Sequence, residues 1–328
     1  KELAADLGKY LVIFLFMVFS IGFVSGFLVA GESMVATYDE SFEKYHIENG
    51  NFEYKEAASK EAIQAIEAEG VKLYENYFYE QTVEKDGKES TLRIFKNRTE
   101  VDKVCLMKGE MPADADEIAI DRMYAVNNEI NVGDTISVDG IDYKVSGYVA
   151  LSDYSALFQS NSDMMFDSVL FGVAVVTDER FNSFDLDFMH MSYAWTYDEE
   201  PKDKKEEKEV SDDLAKVISQ YGELETFVPR YANQAINFTG DDMGSDTVMV
   251  ETMLYILIVI MGFIFAITIN NTIVKEAGTI GTLRASGYTR GEMLRHYISL
   301  PIIVTLVAAL IGNILGLSLI HISEPTRP

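Results

Sequence analysis

Cysteine is almost missing from these 328 residues. Cys105 stands alone, which excludes an intrachain disulfide framework and any zinc site built on cysteines. Basic residues are scarce too, 27 Lys and Arg against 53 Asp and Glu for a formal charge of −26. Without a basic face to neutralise phosphates, a nucleic-acid partner is excluded. The four histidines, His46, His190, His296 and His321, are scattered and form no H-E-x-x-H pattern. Met189-His190-Met191 reads as side chains on alternating faces of a strand, and Asp241, Asp242 and Asp246 lack the ligand spacing of a calcium loop. No phosphate-binding G-x-x-x-x-G-K-[ST] loop occurs, since Gly8-Lys9 is followed by Tyr10 and Gly87-Lys88 by Glu89. With no nucleophile and base and no paired carboxylates to place, no catalytic, cofactor-binding or metal-binding residue is assigned, and the chain is not expected to be an enzyme. A disordered acidic chain is excluded by 48% apolar and 12% aromatic residues.

Charge is absent altogether from three runs, Tyr10–Gly31, Thr252–Val274 and Tyr297–Gly316, each of 20 residues or more. At about 1.5 Å rise per residue, roughly 20 residues cross a hydrocarbon core about 30 Å thick. Phe14 to Phe19 leave no polar face, unlike a helix lying on a soluble core. The first run is also too long for the h-region of a signal peptide, so it reads as a span. Between the second and third runs, residues 275–296 carry Lys275, Arg284, Arg290 and Arg295 against Glu276 and Glu292, a basic excess that orients this short loop toward the cytoplasm. Residues 1–9 are then cytoplasmic, 10–31, 252–274 and 297–316 are transmembrane helices, and 32–251 form a large domain outside the cell. That domain carries 48 acidic against 20 basic residues. The runs contain no ionisable group for a proton or ion path, and Gly22-x-x-x-Gly26 and Gly312-x-x-x-Gly316 are candidate helix-packing faces.

Within 32–251, helix and strand signals alternate. Ser59 caps a helix bearing Ile63 and Ile66 that stops at Gly70, and Val210, Leu214, Val217 and Ile218 mark a second helix closed by Gly222. The charged lead Lys202–Glu209 reads as an exposed loop or linker. Ile136 and Val138, then Asp139-Gly140, then Ile141, Tyr143 and Val145 predict a tight hairpin, and Val169–Thr177 a further strand. The fold class is therefore a membrane protein with α-helical spans and a large mixed α/β domain inserted between the first and second. In the connector, Ile280, Leu283, Gly287 and Leu294 share one helical face, predicting one amphipathic helix with Arg284, Arg290 and Arg295 around its polar side. Such a helix lies on anionic lipid or docks in a partner's groove.

Lys108-Gly109-Glu110-Met111-Pro112, Asp116-Glu117-Ile118-Ala119-Ile120, Val132-Gly133-Asp134-Thr135-Ile136 and Tyr143-Lys144-Val145-Ser146-Gly147 occur in the order of a phrase from the extracytoplasmic core domain of MacB-like and FtsX-like permeases. Ile280-Gly281-Thr282-Leu283-Arg284-Ala285-Ser286-Gly287-Tyr288-Thr289-Arg290 resembles the cytoplasmic signature of the same family. Where that family places an acid two positions before the glycine at 281, this chain has Thr279, and Glu276 is the nearest acid upstream.

The resemblance implies a permease subunit of an ABC transporter, multi-pass in a bacterial plasma membrane, acting in export, extrusion or mechanotransmission. It implies a separate cytoplasmic ABC ATPase that binds the ATP, contacted through Glu276, Ile280, Gly281, Leu283, Arg284, Gly287 and Arg290. It also implies lipid contact and either a dimeric permease or a longer chain that repeats the unit. The different-class alternative is a membrane-anchored sensor with a ligand-binding ectodomain and no ATPase. Residues 317–328 resemble a translated sequencing-library adapter and are set aside from the expected fold.

Overall fold

The computed structural model describes residues 7–85 and 87–323. Its contacts divide the chain into two units, one of Tyr38–Asp241 and one of the segments flanking it.

In the flanking unit, charge ends an apolar run without ending the helix. Helix α1 spans Leu7–Tyr45, well past Gly31, because Glu32 to Tyr45 contain no residue that breaks a helix; the first positive φ comes at His46. The second long helix likewise begins at Gln234, not near Thr252, and runs to Lys275. The third runs from Arg290 to Ser323, continuing beyond Gly316 because Leu317–Ile322 contain no residue that breaks a helix. Among the described residues, three helices are long and apolar enough to cross a membrane, over Tyr10–Tyr45, Gln234–Lys275 and Arg290–Ser318. They share a small core in which Ile13, Met17, Val18 and Ala308 are buried against Ile21, Met261, Ile264 and Phe265.

The Tyr38–Asp241 unit holds two sheets. Strands β1 (Gly50–Tyr54), β2 (Val71–Glu75), β10 (Met191–Tyr197) and β11 (Leu224–Pro229) form an antiparallel sheet in the order β11-β1-β10-β2. While the short α3 (Arg122–Asn127) and α4 (Asp178–Phe181) pack on the other sheet, helices α2 (Lys60–Glu67) and α5 (Lys204–Tyr221) cover this one. Phe52, Tyr54, Tyr193 and Trp195 pack there against Ile66, Leu214 and Ile218. The Ser59 cap is in place, its side chain accepting from Ala62 N at 3.1 Å.

The charged lead Lys202–Glu209 is not a loop. Asp203 caps α5 by accepting from Lys205 N and Glu206 N, both at 2.9 Å. Lys202 pairs with Glu206 and Lys205 with Glu209 at i,i+4 spacing. Lys and Glu are good helix formers, so a run of alternating charge with a capping Asp extends the helix.

The second sheet has strands β3 (Tyr79–Lys85), β4 (Lys88–Lys96), β5 (Val104–Gly109), β6 (Glu117–Asp121), β7 (Thr135–Val138), β8 (Ile141–Leu151) and β9 (Phe171–Val176), in the order β5-β8-β6-β9-β4-β3-β7. Because β7 also pairs with β8, six strands close into a ring with β5 outside it. The predicted hairpin joins β7 to β8: Val138 faces Ile141, and Asp139 and Gly140 take φ of 49° and 75°.

The four motif fragments meet in this sheet. Gly109 and Gly147 face each other across β5 and β8, and a Cβ on Gly109 would collide with Ser146 O, while one on Gly147 would sit 2.5 Å from Glu110 O. Gly133 N donates to Val145 O and Val145 N to Asp134 O, both at 2.8 Å. Lys144 reaches Glu117 at 3.0 Å. The phrase therefore describes backbone close approach and register, a folding requirement of the sheet.

Candidate functional site

The connector following the second helix is helix, turn, helix, in place of the single amphipathic helix read from its periodicity. Here α6 is the helix Gln234–Lys275, α7 spans Ala277–Ala285 and α8 spans Arg290–Ser323. Gly287 takes φ of 101°, its N donates to Arg284 O, and Tyr288 N donates to Leu283 O, both at 3.2 Å. This paired arrangement ends a helix at a left-handed glycine. Thr289 and Glu292 then start α8 reciprocally: Thr289 N donates to Glu292 Oε2 at 2.8 Å, and Glu292 N donates to Thr289 Oγ1 at 3.3 Å. The spacing count missed this because it ran across a glycine.

Of the residues assigned to partner contact, Ile280, Gly281, Leu283 and Arg284 lie in α7. Glu276 is its N-cap position, Gly287 forms the turn, and Arg290 opens α8. Ile280 and Leu283 are half-buried, whereas Arg284, Gly287 and Arg290 are exposed. Neither arginine makes an ion pair among the described residues. Glu276 Oε2 accepts from Tyr297 Oη at 2.6 Å, which ties the start of α7 to α8. Thr279, in the position where the resembled family has an acid, is exposed.

The four glycines assigned to helix packing are brought together. A Cβ on Gly22 would lie 3.1 Å from Gly312 O, and one on Gly26 3.2 Å from Gly316 O. From the other side, a Cβ on Gly312 would lie 2.9 Å from Val18 O and one on Gly316 2.5 Å from Gly22 O. The backbones of α1 and α8 thus touch directly, a contact that only glycine permits on both faces.

In the α/β domain, the two sheets frame a cleft of about 650 Å³ lined by Glu53, Phe78, Glu80, Arg93, Tyr154 and His190 among others. At its centre Phe78 is sandwiched between the Arg93 guanidinium, 4.4 Å from the ring, and the His190 ring, stacked 4.4 Å away at 7°. Arg93 is held by Glu80 and Tyr154, and His190 Nδ1 lies 2.6 Å from Glu53 Oε1. The hydrogen bond to Glu53 raises the imidazole pKa, against the opposing effect of burial. His190 is thus a cross-strand partner of Glu53, a pairing 137 residues apart that strand periodicity could not indicate. Among the described residues no cluster of three or more His, Cys, Asp or Glu could hold a metal.

Residues 251–327 match the FtsX-like permease C-terminal family. The structure resembles the extracellular domain of the noncanonic ABC-type transporter YknZ from Gram-positive bacteria, at 12% identity and a TM-score of 0.31, covering 54% of this chain and 100% of that one. It also resembles the periplasmic region of MacB from Actinobacillus actinomycetemcomitans, at 11% identity and a TM-score of 0.32, covering 59% of this chain and 92% of that one. No curated protein sequence matches. The family reading rests on the sequence match. Over that segment the chain is similar to FtsX-like permeases, and its long apolar helices accompany a mixed α/β domain.

Proposed function

We propose that this chain is the permease subunit of an ABC transporter, which couples ATP hydrolysis by a separate cytoplasmic ATPase to motion of an extracytoplasmic α/β domain. The observation that carries the reading is the FtsX-like match over 251–327, which includes the connector, α8 and the part of α6 from Glu251 to Lys275. The basic excess of residues 275–296 supports a cytoplasmic connector and hence an external location for the acidic domain. Arg284 and Arg290 are exposed cations without an ion-pair partner in the described residues, suited to an acidic groove on the ATPase.

Helices α1 and α6 support transmission by their continuity. Each runs unbroken across the division between the two units, at Thr37/Tyr38 and Asp241/Asp242. A tilt imposed at the connector end of such a helix is passed along it rather than absorbed at a loop. The test is co-purification of an ABC ATPase co-expressed with this chain, with Arg284→Glu/Arg290→Glu as the variant. The proposal expects the ATPase to be retained by the wild type and lost from the variant. Retention by the charge-reversed chain refutes docking through the connector.

A further inference from the structure

Where α1 ends and β1 begins, the α/β domain buries three carboxyl groups around one guanidinium. Arg98 grips Asp153 with both forks, Nη1 to Oδ2 at 2.9 Å and Nη2 to Oδ1 at 2.5 Å, and Nη1 also donates to Asn76 at 3.2 Å. That leaves Glu48 and Asp102 without a cation of their own. Glu48 is 1% exposed and Asp102 fully buried. Asp102 Oδ1 accepts from Glu48 N at 2.9 Å, and Glu48 Oε1 accepts from Asn51 Nδ2 at 2.5 Å. The remaining oxygens, Glu48 Oε2 and Asp102 Oδ2, have no hydrogen-bond partner among the described residues. The bond from Glu48 N to Asp102 Oδ1 makes the two residues immediate neighbours, so each carboxyl feels the charge of the other. Two facing carboxylates removed from water cannot both stay ionised, and two orphaned oxygens on adjacent carboxyls are satisfied together by one proton.

We propose that Glu48 and Asp102 form a proton-binding site, and that release of the shared proton to solvent detaches the segment Arg98–Lys103 from the end of α1. The attachment consists of few bonds. Asp102 N donates to His46 O at 3.0 Å, Lys103 N to Tyr45 O at 2.9 Å, and Glu48 N to Asp102 Oδ1. His46 Nδ1 also meets Glu100 O at 2.6 Å. Both His46 and Asp102 hold positive φ, 53° and 47°, a conformation that persists only while its surroundings enforce it.

The charged and titratable groups around the pair are Asp153, which repels it, and Arg98, which attracts it, with Tyr154 next to both of these. Asn51 is the uncharged polar neighbour. Burial, with repulsion from Asp153 and opposed by Arg98, pushes Asp102 up to about 7. Burial, with Asp102 and Asp153, raises Glu48 well above the carboxylate range. Asp102 therefore ionises near neutral pH, the shared proton stays on the pair until a higher pH, and the direction is fixed: the attachment holds in acid and is lost as the pH rises beyond about 7.

The test uses the full chain in lipid nanodiscs. Hydrogen exchange at the Glu48, Asp102 and Lys103 amides, corrected for intrinsic rates, is followed from about pH 5 to about pH 9 together with the infrared band of protonated carboxyls. In the wild type, protection is expected to fall at least about tenfold above neutrality as the carboxylic-acid band disappears. Asp102→Asn supplies a fixed N–H donor in place of the proton and is compatible with positive φ, so protection should become independent of pH and the band should be lost. Flat protection in the wild type overturns the proposal, and so does an unchanged pH dependence in Asp102→Asn. If that variant does not fold, a wild-type spectrum without a protonated-carboxyl band below neutrality is decisive against it. None of these outcomes depends on the ATPase reading.

Discussion

Replacing Gly316 by Ala is expected to destabilise the helical unit, whereas the same change at Gly262 is not. A methyl at Gly316 would stand 2.5 Å from Gly22 O and 3.0 Å from Gly26 N, against an ordinary contact of at least 3.4 Å. Both obstacles are backbone atoms, so no side-chain rotation relieves them, and α1 and α8 must part by about 0.9 Å. A gap of about 0.5 to 1 Å forfeits roughly a quarter to a half of each dispersion contact along the seam. Overpacking of this kind costs about 1–3 kcal/mol. Opposing it, Ala is favoured over Gly inside a helix by about 0.5–1 kcal/mol, leaving a net loss of about 0–2.5 kcal/mol. At Gly262, in α6, a Cβ meets nothing within 4 Å, so only the favourable helix contribution remains. Unfolding of the purified chain by titration with SDS in mixed micelles measures both variants against wild type. If Gly316→Ala proves as stable as Gly262→Ala, the direct backbone contact between α1 and α8 is wrong.

Glu53→Gln removes the group that raises the His190 pKa. The pair contributes stability that is fully present below the ordinary imidazole value and lost as pH rises through the raised one, so thermal unfolding should depend less steeply on pH in the variant. The half-exposed His190 limits the effect to about 0.5 kcal/mol, and identical pH slopes would dismiss the pair. Asp203→Ala deletes the cap of α5 and should lower stability by about 1 kcal/mol, read by denaturant midpoint; no change would mean that Lys202–Glu209 is held some other way. Ala36→Pro breaks α1 between its apolar run and the α/β domain at a cost of about 3 kcal/mol in helix stability. It should leave ATPase binding intact but abolish ATP-dependent changes in hydrogen exchange across Tyr38–Asp241, and unchanged exchange responses would refute transmission through a continuous helix.

What could be read from the residues divides by the range of the interaction that decides it. Asp139-Gly140 was legible because a two-residue turn with positive φ at both positions is specified by those two residues. Ser59 was legible for the same reason, since its partner is three residues away. The apolar runs were legible as spans, but the ends of α1 and α6 were not, because the onset of charge marks where lipid contact can stop and says nothing about backbone hydrogen bonding. Lys202–Glu209 misled through the same confusion of charge with irregularity. In the connector the necessary signs were present, Gly287 as a stop and Thr289-x-x-Glu292 as a start, and a periodicity counted across them concealed both. The group Glu48, Arg98, Asp102 and Asp153 had no local sign. Its contacts join residues 54 and 55 positions apart, and buried carboxyls look in sequence like any others in so acidic a chain.

Two different physical solutions hold the two units, and the difference bears on which part can move. Lipid offers apolar side chains no reward for meeting one another, so α1 and α8 are joined by backbone contact at glycines, a geometry with little tolerance for sliding. The α/β domain is closed by a ring of strands around buried aliphatic and aromatic residues and is correspondingly stiff within itself. Helices α1 and α6, of 39 and 42 residues, extend about 58 and 63 Å at 1.5 Å per residue, roughly twice a hydrocarbon core. Within each unit, the ends of these helices are held by fewer contacts than the ring of strands or the glycine seam. One such end, Tyr45–Glu48, is held by a handful of hydrogen bonds, two residues at positive φ and a pair of buried carboxyls, the combination least resistant to local opening.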